Sequence, residues 1–482
     1  MDESGDKTRY WQQKNLYISL LSSNLLMSKL KDRREELALF ETRYREGNAQ
    51  LFILYGRRRI GKTELAEAFI EKVGGLRLLG RFESEKDHLK RFSLALADFF
   101  HDSVLKTNHF PDWDAFFAYI AEKSSEKQFV LCLDEFPYIV NSSPALASIL
   151  QDYWDKTLKK SKIFLILCGS SISMMVKYIL SYKSPLYGRR TGQLKLNGIS
   201  WNNIIEFLPE YSVKERIETY AVFGGTPGYI LECSKKANLF EDIKEKILKK
   251  DQFLFQDVEF VLREELDEPK YYFSILRSLS YGNTKIGEIM NDTGLNKGIV
   301  GKYLSVLTDL DIIERKVPVT EKGKGSRMGI YKIKDHFFSF WFRFVYPNIE
   351  YVEKENINYI IYKIKNEFSI FVSSVFEEIC QDFIIRRGCF KIHKIGSWWH
   401  KGHEIDCIGF NEETKEIIFV ECKWKDNVNA KKILWELKEK ANFVSWKKDK
   451  RQEYYAIFAK SFKEEIKEKN VFLFTLKDLD KQ

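Results

Sequence analysis

The apolar run Leu51-Phe52-Ile53-Leu54-Tyr55 ends in Gly56 and continues as Arg57-Arg58-Arg59-Ile60-Gly61-Lys62-Thr63. No other stretch constrains the fold as tightly. The Gly-x4-Gly-Lys-Thr spacing needs a buried strand that stops at a glycine turn and restarts as a helix, the layout of a phosphate-binding P-loop. The glycines let backbone N–H groups turn inward around an anion, where a side chain would block the approach. Glu64-Leu65-Ala66-Glu67-Ala68-Phe69 reads as the helix that follows, so its N-terminal dipole would face the phosphates. The nucleotide-binding set is therefore Gly56, Arg57, Arg58, Arg59, Ile60, Gly61, Lys62, Thr63 and Glu64. Lys62 is expected to act catalytically at the β- and γ-phosphates, and the Thr63 hydroxyl to ligate Mg2+.

Phe129-Val130-Leu131-Cys132-Leu133 is a second apolar strand, and it ends in Asp134 and Glu135. A buried parallel strand reads this way, with function at its C-terminal end. Asp134 is expected to hold Mg2+, and Glu135 to orient or activate the attacking water. A third strand, Lys162 to Gly169, ends in Ser170 and Ser171. Ser170 stands where a γ-phosphate sensor would be, or it is simply a helix N-cap before Ile172.

A chain of 482 residues has room for two to four domains, and 44% hydrophobic residues are ample for several cores. A net charge of +9, well mixed along the chain, permits nucleic-acid contact without requiring it. The seven cysteines are scattered and form no Cys-x-x-Cys pair, which points to reduced core thiols in a cytoplasmic protein. No apolar run reaches the length of a membrane span, so no membrane partner is expected. The regular pattern begins near Met27, and residues 1–29 read as an N-terminal extension.

Residues 33–46 form a charged amphipathic helix. Strands and helices then alternate to about Leu196, which predicts an open parallel sheet wound with helices. Residues 200–265 are mainly helical, broken at Gly224-Gly225-Thr226-Pro227-Gly228-Tyr229. Three helices follow, Tyr272 to Ser280, Lys285 to Asp292 and Lys297 to Leu310, and then a hairpin of Ile312 to Val317 with Tyr331 to Ile333. This is a winged helix-turn-helix. Two readings of it stand. Asn296, Lys297 and Lys302 would enter a major groove, or the module only packs against its neighbours. The wing tip, Glu321 to Arg327, is basic and suits phosphate contact.

From about 365 the pattern becomes α+β. A helix from Ile370 to Arg386 carries Glu377. The strands Glu404 to Phe410 and Glu416 to Trp424 follow, joined by a turn at Asn411 to Thr414. Asp406 lies on the first strand, and Glu421 and Lys423 share a face of the second. With that turn, Asp406 falls opposite Glu421. Glu377, Asp406 and Glu421 are hard-oxygen ligands suited to Mg2+ or Mn2+. Lys423 would stabilise charge on an attacked phosphate. Asp406, Glu421 and Lys423 are the catalytic candidates here. A surface hairpin of mixed charge is the other reading, and the apolar neighbours Ile405, Ile408, Val420 and Cys422 weigh against it.

Several stretches together carry a family resemblance. They are Arg34-Glu35-x-Leu37, the P-loop, Leu133-Asp134-Glu135-Phe136-Pro137-Tyr138, Cys168-Gly169-Ser170-Ser171, Pro185-Leu186-Tyr187-Gly188-Arg189 and Gly224-Gly225-Thr226-Pro227-x-Tyr229. Over about residues 30–480 the chain resembles the archaeal-type P-loop ATPases, a branch of the STAND division near the AAA+ proteins. Its tail looks like the domain of unknown function often attached to them, which is similar to PD-(D/E)xK nucleases. Phe376-Glu377, Gly396-x-Trp398-Trp399, Glu404-Ile405-Asp406 and Glu421-Cys422-Lys423-Trp424 carry that match.

The resemblance implies an α/β P-loop sheet at 30–199, a helical lid at 200–265, a winged helix at 266–340, a linker at 341–364 and an α+β restriction-endonuclease-like domain at 365–482. It implies ATP and Mg2+, and a γ-phosphate contact from Arg189 or Arg190. It also implies that Pro227 leans on the adenine or sets a hinge. If Arg189 acts in trans, a homo-oligomer follows. The expected function is an Mg-dependent ATPase switch controlling a nuclease-like effector on DNA or RNA, with a defence or mobile-element role implied by family type. The alternative is a nucleotide-gated DNA-binding regulator, or an assembly factor, with a catalytically silent tail.

Overall fold

The computed structural model describes residues 31–234, 238–266, 269–321, 326 and 328–480. The extension expected at 1–29, and most of the wing tip between Glu321 and Met328, lie outside the described residues. The chain divides into two compact units after Gly198.

The first unit is built on five parallel strands: β1 (Gln50–Tyr55), β2 (Gly75–Leu79), β3 (Phe129–Asp134), β4 (Ile163–Gly169) and β5 (Gly192–Lys195). Their spatial order is β2-β3-β4-β1-β5. Successive side chains leave a strand on opposite faces, and both faces here are apolar. Leu51, Ile53, Leu131, Leu133, Leu165 and Leu167 join one core. Phe52, Leu54, Val130, Cys132, Phe164 and Ile166 join another. Helices α1 (Arg34–Arg45) and α2 (Lys62–Val73) cover the second face with Phe40, Leu65 and Phe69. Helices α3 (Glu85–Phe100), α4 (Trp113–Glu126) and α5 (Leu146–Lys156) cover the first with Phe92, Trp113, Phe116 and Leu150. A sheet covered on both faces is why β1, β3 and β4 read as unbroken apolar runs.

The second unit begins with helices, among them α6 (Val213–Phe223) and α7 (Phe253–Glu265). The helices α8 (Pro269–Ser280), α9 (Ile286–Thr293) and α10 (Lys297–Asp309) follow, then the antiparallel pair β6 (Ile313–Lys316) and β7 (Ile330–Ile333). Gly294, in the left-handed region at φ 70°, ends α9. The Asn296 side chain caps α10 by accepting from the Ile299 N–H.

The stretch 341–364, expected as a linker, is helical through most of its length. Trp341, Phe342, Phe344, Val345, Ile360 and Ile364 are all buried. Ile360, Ile364 and Phe368 continue a buried stripe. Helix α11 therefore runs the whole way from Ile357 to Arg387. Trp341 is fully enclosed, and its indole N–H donates to the Phe255 carbonyl at 2.8 Å. Trp341→Ala is expected to cost about 3–5 kcal/mol through the cavity it leaves. Denaturant unfolding of the variant beside the parent checks this, and a loss under about 1 kcal/mol would contradict it.

After α11 come β8 (Lys394–His400), β9 (His403–Phe410) and β10 (Glu416–Lys423) as an antiparallel meander. Helix α12 (Ala430–Ala441) crosses over to β11 (Gln452–Ala459), which runs parallel to β10, and β12 (Val471–Phe474) closes the sheet. The order is β12-β11-β10-β9-β8. Helix α12 covers one face with Leu434 and Leu437 against Phe419 and Ile457. From α11, the Phe376 ring meets Trp424 at 5.0 Å and Phe383 meets Phe458 at 5.6 Å. Trp398 and Trp399 lie inside β8. Among the described residues no helix is long and apolar enough to cross a membrane.

Candidate functional site

The loop between β1 and α2 is tied down by its glycines. Gly56 has φ 154°, and a Cβ there would run into the Leu196 carbonyl. That carbonyl is close because the Leu196 N–H bonds the Tyr55 carbonyl at 2.7 Å, so the chain after β5 lies against the end of β1. Gly61, at φ 94°, is the N-cap of α2 and takes a backbone conformation that disfavours other residues. Arg59 is also left-handed, at φ 62°. Lys62 is buried, and its Nζ donates to the Arg57 carbonyl at 2.8 Å. The loop thus holds its ammonium inside the turn, at the N-terminus of α2.

The end of β3 comes to the same place. The Thr63 hydroxyl donates to Asp134 Oδ2 at 3.1 Å. These two oxygens, one hydroxyl and one carboxylate, are donors of the kind Mg2+ prefers. Arg77 of β2, a residue the sequence reading did not single out, also donates to Asp134 Oδ2, at 3.0 Å, and pairs with Glu67 at 2.9 Å. Its only sequence signal is a lone cation in an apolar strand.

Glu135 follows in a left-handed conformation, φ 49°. Its carboxylate accepts the Ser170 N–H at 3.1 Å and the Ser170 hydroxyl as well. Ser170 is not the helix cap. Ser171 takes that part, its side chain accepting from Met174 N–H. A left-handed glutamate costs free energy unless its surroundings hold it, and here Ser170 holds its side chain. The first unit thus brings together Gly56 to Glu64, Asp134, Glu135 and Ser170.

Arg189 does not join this group by its contacts. It grips Asp155 of α5 through two nitrogens, at 2.9 and 2.7 Å, and donates to the Pro185 carbonyl at 2.9 Å. Arg190 lies over the Tyr187 ring. Pro227, in the second unit, is the first residue of a short helix, Pro227–Ile230. The Tyr229 hydroxyl within that helix donates to Asp257 at 2.5 Å.

The second cluster lies at the end of β9 and β10. The ladder pairs Val420 with Cys407, and Asp406 and Glu421 are the next residues on β9 and β10. There the ladder stops. Asp406 Oδ2 accepts the Cys422 N–H at 2.7 Å in place of a backbone carbonyl. Glu421 is buried, and it accepts from Lys423 Nζ at 2.7 Å and from Lys440 Nζ at 3.0 and 3.1 Å. Lys440, at the far end of α12, had no sequence signal beyond its place on a helix.

Burial pushes Glu377 up to about 8, and the nearby Asp406 charge adds to this. Burial also pushes Asp406 up to about 6, with the Glu421 charge adding and Lys423 opposing. Burial alone would lower Lys423, but the charges of Glu421 and Asp406 outweigh it and hold its ammonium above the usual range. Among the described residues no three His, Cys, Asp or Glu side chains are arranged to hold a metal ion. Glu377, Asp406 and Glu421 share one neighbourhood, and Glu421 is turned to its two lysines. In the winged helix, Asn296, Lys297 and Lys302 are all exposed.

A family model described as an ATPase domain predominantly from Archaea matches residues 30–233, a stretch that contains the whole P-loop, Asp134, Glu135 and Ser170. The chain is also 36% identical over 457 residues to uncharacterized protein MJECL04 of Methanocaldococcus jannaschii, covering 93% of this chain and 99% of that one. The chain belongs to this archaeal ATPase family. Within the family frame, a model described as bacterial regulatory protein, arsR family, matches residues 274–315, in the helix-turn-helix. Another, described as archaea bacterial proteins of unknown function, matches residues 341–433.

Two solved structures are similar at low identity. One is a Signal Transduction ATPase with Numerous Domains protein with a tetratricopeptide repeat sensor from Pyrococcus horikoshii, at 17% identity and TM-score 0.30. The match covers 74% of this chain and 50% of that one. The other is a RuvB variant from Thermotoga maritima, at 16% identity and TM-score 0.30, covering 59% of this chain and 88% of that one.

Proposed function

We propose that ATP binding and hydrolysis by this ATPase switch a C-terminal, divalent-metal-dependent nuclease of PD-(D/E)xK type that acts on DNA or RNA. The observation that carries the reading is the proximity of Glu377 on α11, Asp406 on β9, and Glu421 and Lys423 on β10, with the Asp406 charge acting on Glu377 and those of Glu421 and Lys423 acting on Asp406. Two carboxyls held above their ordinary range and a strongly held ammonium make a site that gains from a hard cation. Asp406 and Glu377 would hold Mg2+ or Mn2+ with Glu421. That cation, when bound, supplies an activated water. Lys423 would neutralise charge gathering on the attacked phosphate.

In the first unit Lys62 and the loop N–H groups would bind the ATP phosphates, with Thr63 and Asp134 at Mg2+ and Glu135 aligning the water. Ser170 competes for the Glu135 carboxylate, so turnover would require Glu135 to leave it. Arg189 would take part only after releasing Asp155, in cis or from another copy.

One observation favours a second reading, a nucleotide-gated DNA-binding regulator. Glu421 is already neutralised by Lys423 and Lys440, which suits a domain that is structurally closed and catalytically silent. The test incubates the full chain with single- and double-stranded DNA and RNA, Mg2+ or Mn2+, with and without ATP, beside Asp406→Ala. Cleavage that ATP alters and the variant lacks is expected. ATP hydrolysis with no cleavage of any substrate would leave the regulator.

A further inference from the structure

A basic cleft of about 1210 Å3 runs through the second unit between the winged helix and the β8–β9 turn. Lys285, Lys297, Tyr331 and Lys332 line the winged-helix wall, and Trp399 and Lys401 line the other. Five Lys or Arg side chains face it against a single carboxylate, Glu404. The walls are fastened to each other. The Trp399 indole N–H donates to the Met328 carbonyl at 3.1 Å, and the Val319 N–H bonds the Ser397 carbonyl at 3.0 Å.

We propose that this cleft binds a single strand of nucleic acid and leads it to the acids on β9 and β10. The inference rests on the reading that the C-terminal domain acts on nucleic acid, and it names the form of the substrate. A groove that tracks a backbone with cations and offers aromatic faces to bases is the general means of holding single strands. The volume exceeds the ~300–1,000 Å3 usual for a small-molecule pocket, so a chain-like ligand fits it better.

The cleft is also continuous with the acidic cluster. Glu404, in its lining, is two residues from Asp406 on β9. Glu377 feels the charges of Lys332 and Glu404 at the cleft and of Asp406 beyond it.

A duplex fits less well. It would need the start of α10 inside a major groove about 12 Å wide. Lys297, at that start, instead shares the cleft with the β8–β9 turn, so the C-terminal domain stands where the duplex would lie.

The test is anisotropy with labelled single strands of DNA and RNA of about 12 nucleotides, and a DNA duplex of the same sequence. It uses the full chain carrying Asp406→Asn, in chelator, so that cleavage plays no part. A single strand, DNA or RNA, is expected to bind at least about tenfold tighter than the duplex. Lys401→Glu and Lys297→Glu, both at exposed positions on opposite walls, should each weaken it about tenfold. Each should also flatten the slope of log affinity against log salt, by ~0.7 for every phosphate that is no longer neutralised. Lys469→Glu, exposed beside β12 at the far edge of the sheet, should leave binding unchanged. Thermal melts confirm that the variants fold. Duplex binding as tight as single-strand binding, indifferent to Lys401 and Lys297, would overturn the cleft and leave the nucleic-acid reading standing. Failure of every nucleic acid to bind would overturn both.

Discussion

Lys62→Ala is expected to lower ATP turnover by about 10²–10³-fold, the effect of removing one preorganised charge from a phosphoryl-transfer site. The side chain is buried at the start of α2, with its ammonium 2.8 Å from the Arg57 carbonyl. It is therefore already oriented before any phosphate arrives, and none of Arg57, Arg58 and Arg59 is buried with it. Glu135→Gln separates binding from chemistry. It keeps the shape of the side chain and removes the charge, so nucleotide affinity should hold while turnover falls. Phosphate release and titration with a fluorescent ATP analogue measure the two effects. Turnover in Lys62→Ala within threefold of the parent would remove the P-loop from the reaction.

Asp406→Asn is expected to abolish Mn2+-dependent cleavage, by about 10²-fold or more, because the substitution removes the negative charge of a proposed metal ligand without changing its volume. The same residue gives a readout that needs no activity. Glu377 and Asp406 are acids whose folded values stand above their ordinary ones. Between about pH 4 and pH 8 the folded chain therefore binds more protons than the unfolded chain, and their contribution to stability falls as pH rises. This is the reverse of a salt-bridged aspartate. In chelator, the parent should lose more melting temperature between pH 5 and pH 8 than Asp406→Asn does. Mn2+ should restore the parent at pH 8, where the carboxyls can ionise, and do little at pH 5, where it must displace protons. An Mn2+ shift that is equal in both proteins, or absent at both pH values, would disqualify the acid cluster as a metal site.

The sequence determined what depends on neighbours along the chain. The strand and helix from Leu51 to Phe69 are local, because φ at Gly61 and the apolar run of β1 require nothing distant, while Gly56 must also clear the Leu196 carbonyl. The unbroken apolar runs of β3 and β4 likewise carried the doubly covered sheet, since a strand buried on both faces has no polar side to show. The nearness of Asp406 to Glu421 was legible too, because a short hairpin brings its two strands together.

Tertiary structure decided the partners. Arg77 reaches Asp134 across 57 positions, Ser170 holds Glu135 across 35, and Lys440 holds Glu421 across 19. It also turned the stretch 341–364 into helix with a buried stripe and drew Arg189 to Asp155. Side-chain charges are alike in sequence whether they meet water, phosphate or a carboxylate. Which of these each one meets is fixed only when strands and helices far apart in the chain are brought side by side, and the cost of burying a charge leaves it to take whichever partner is then in reach.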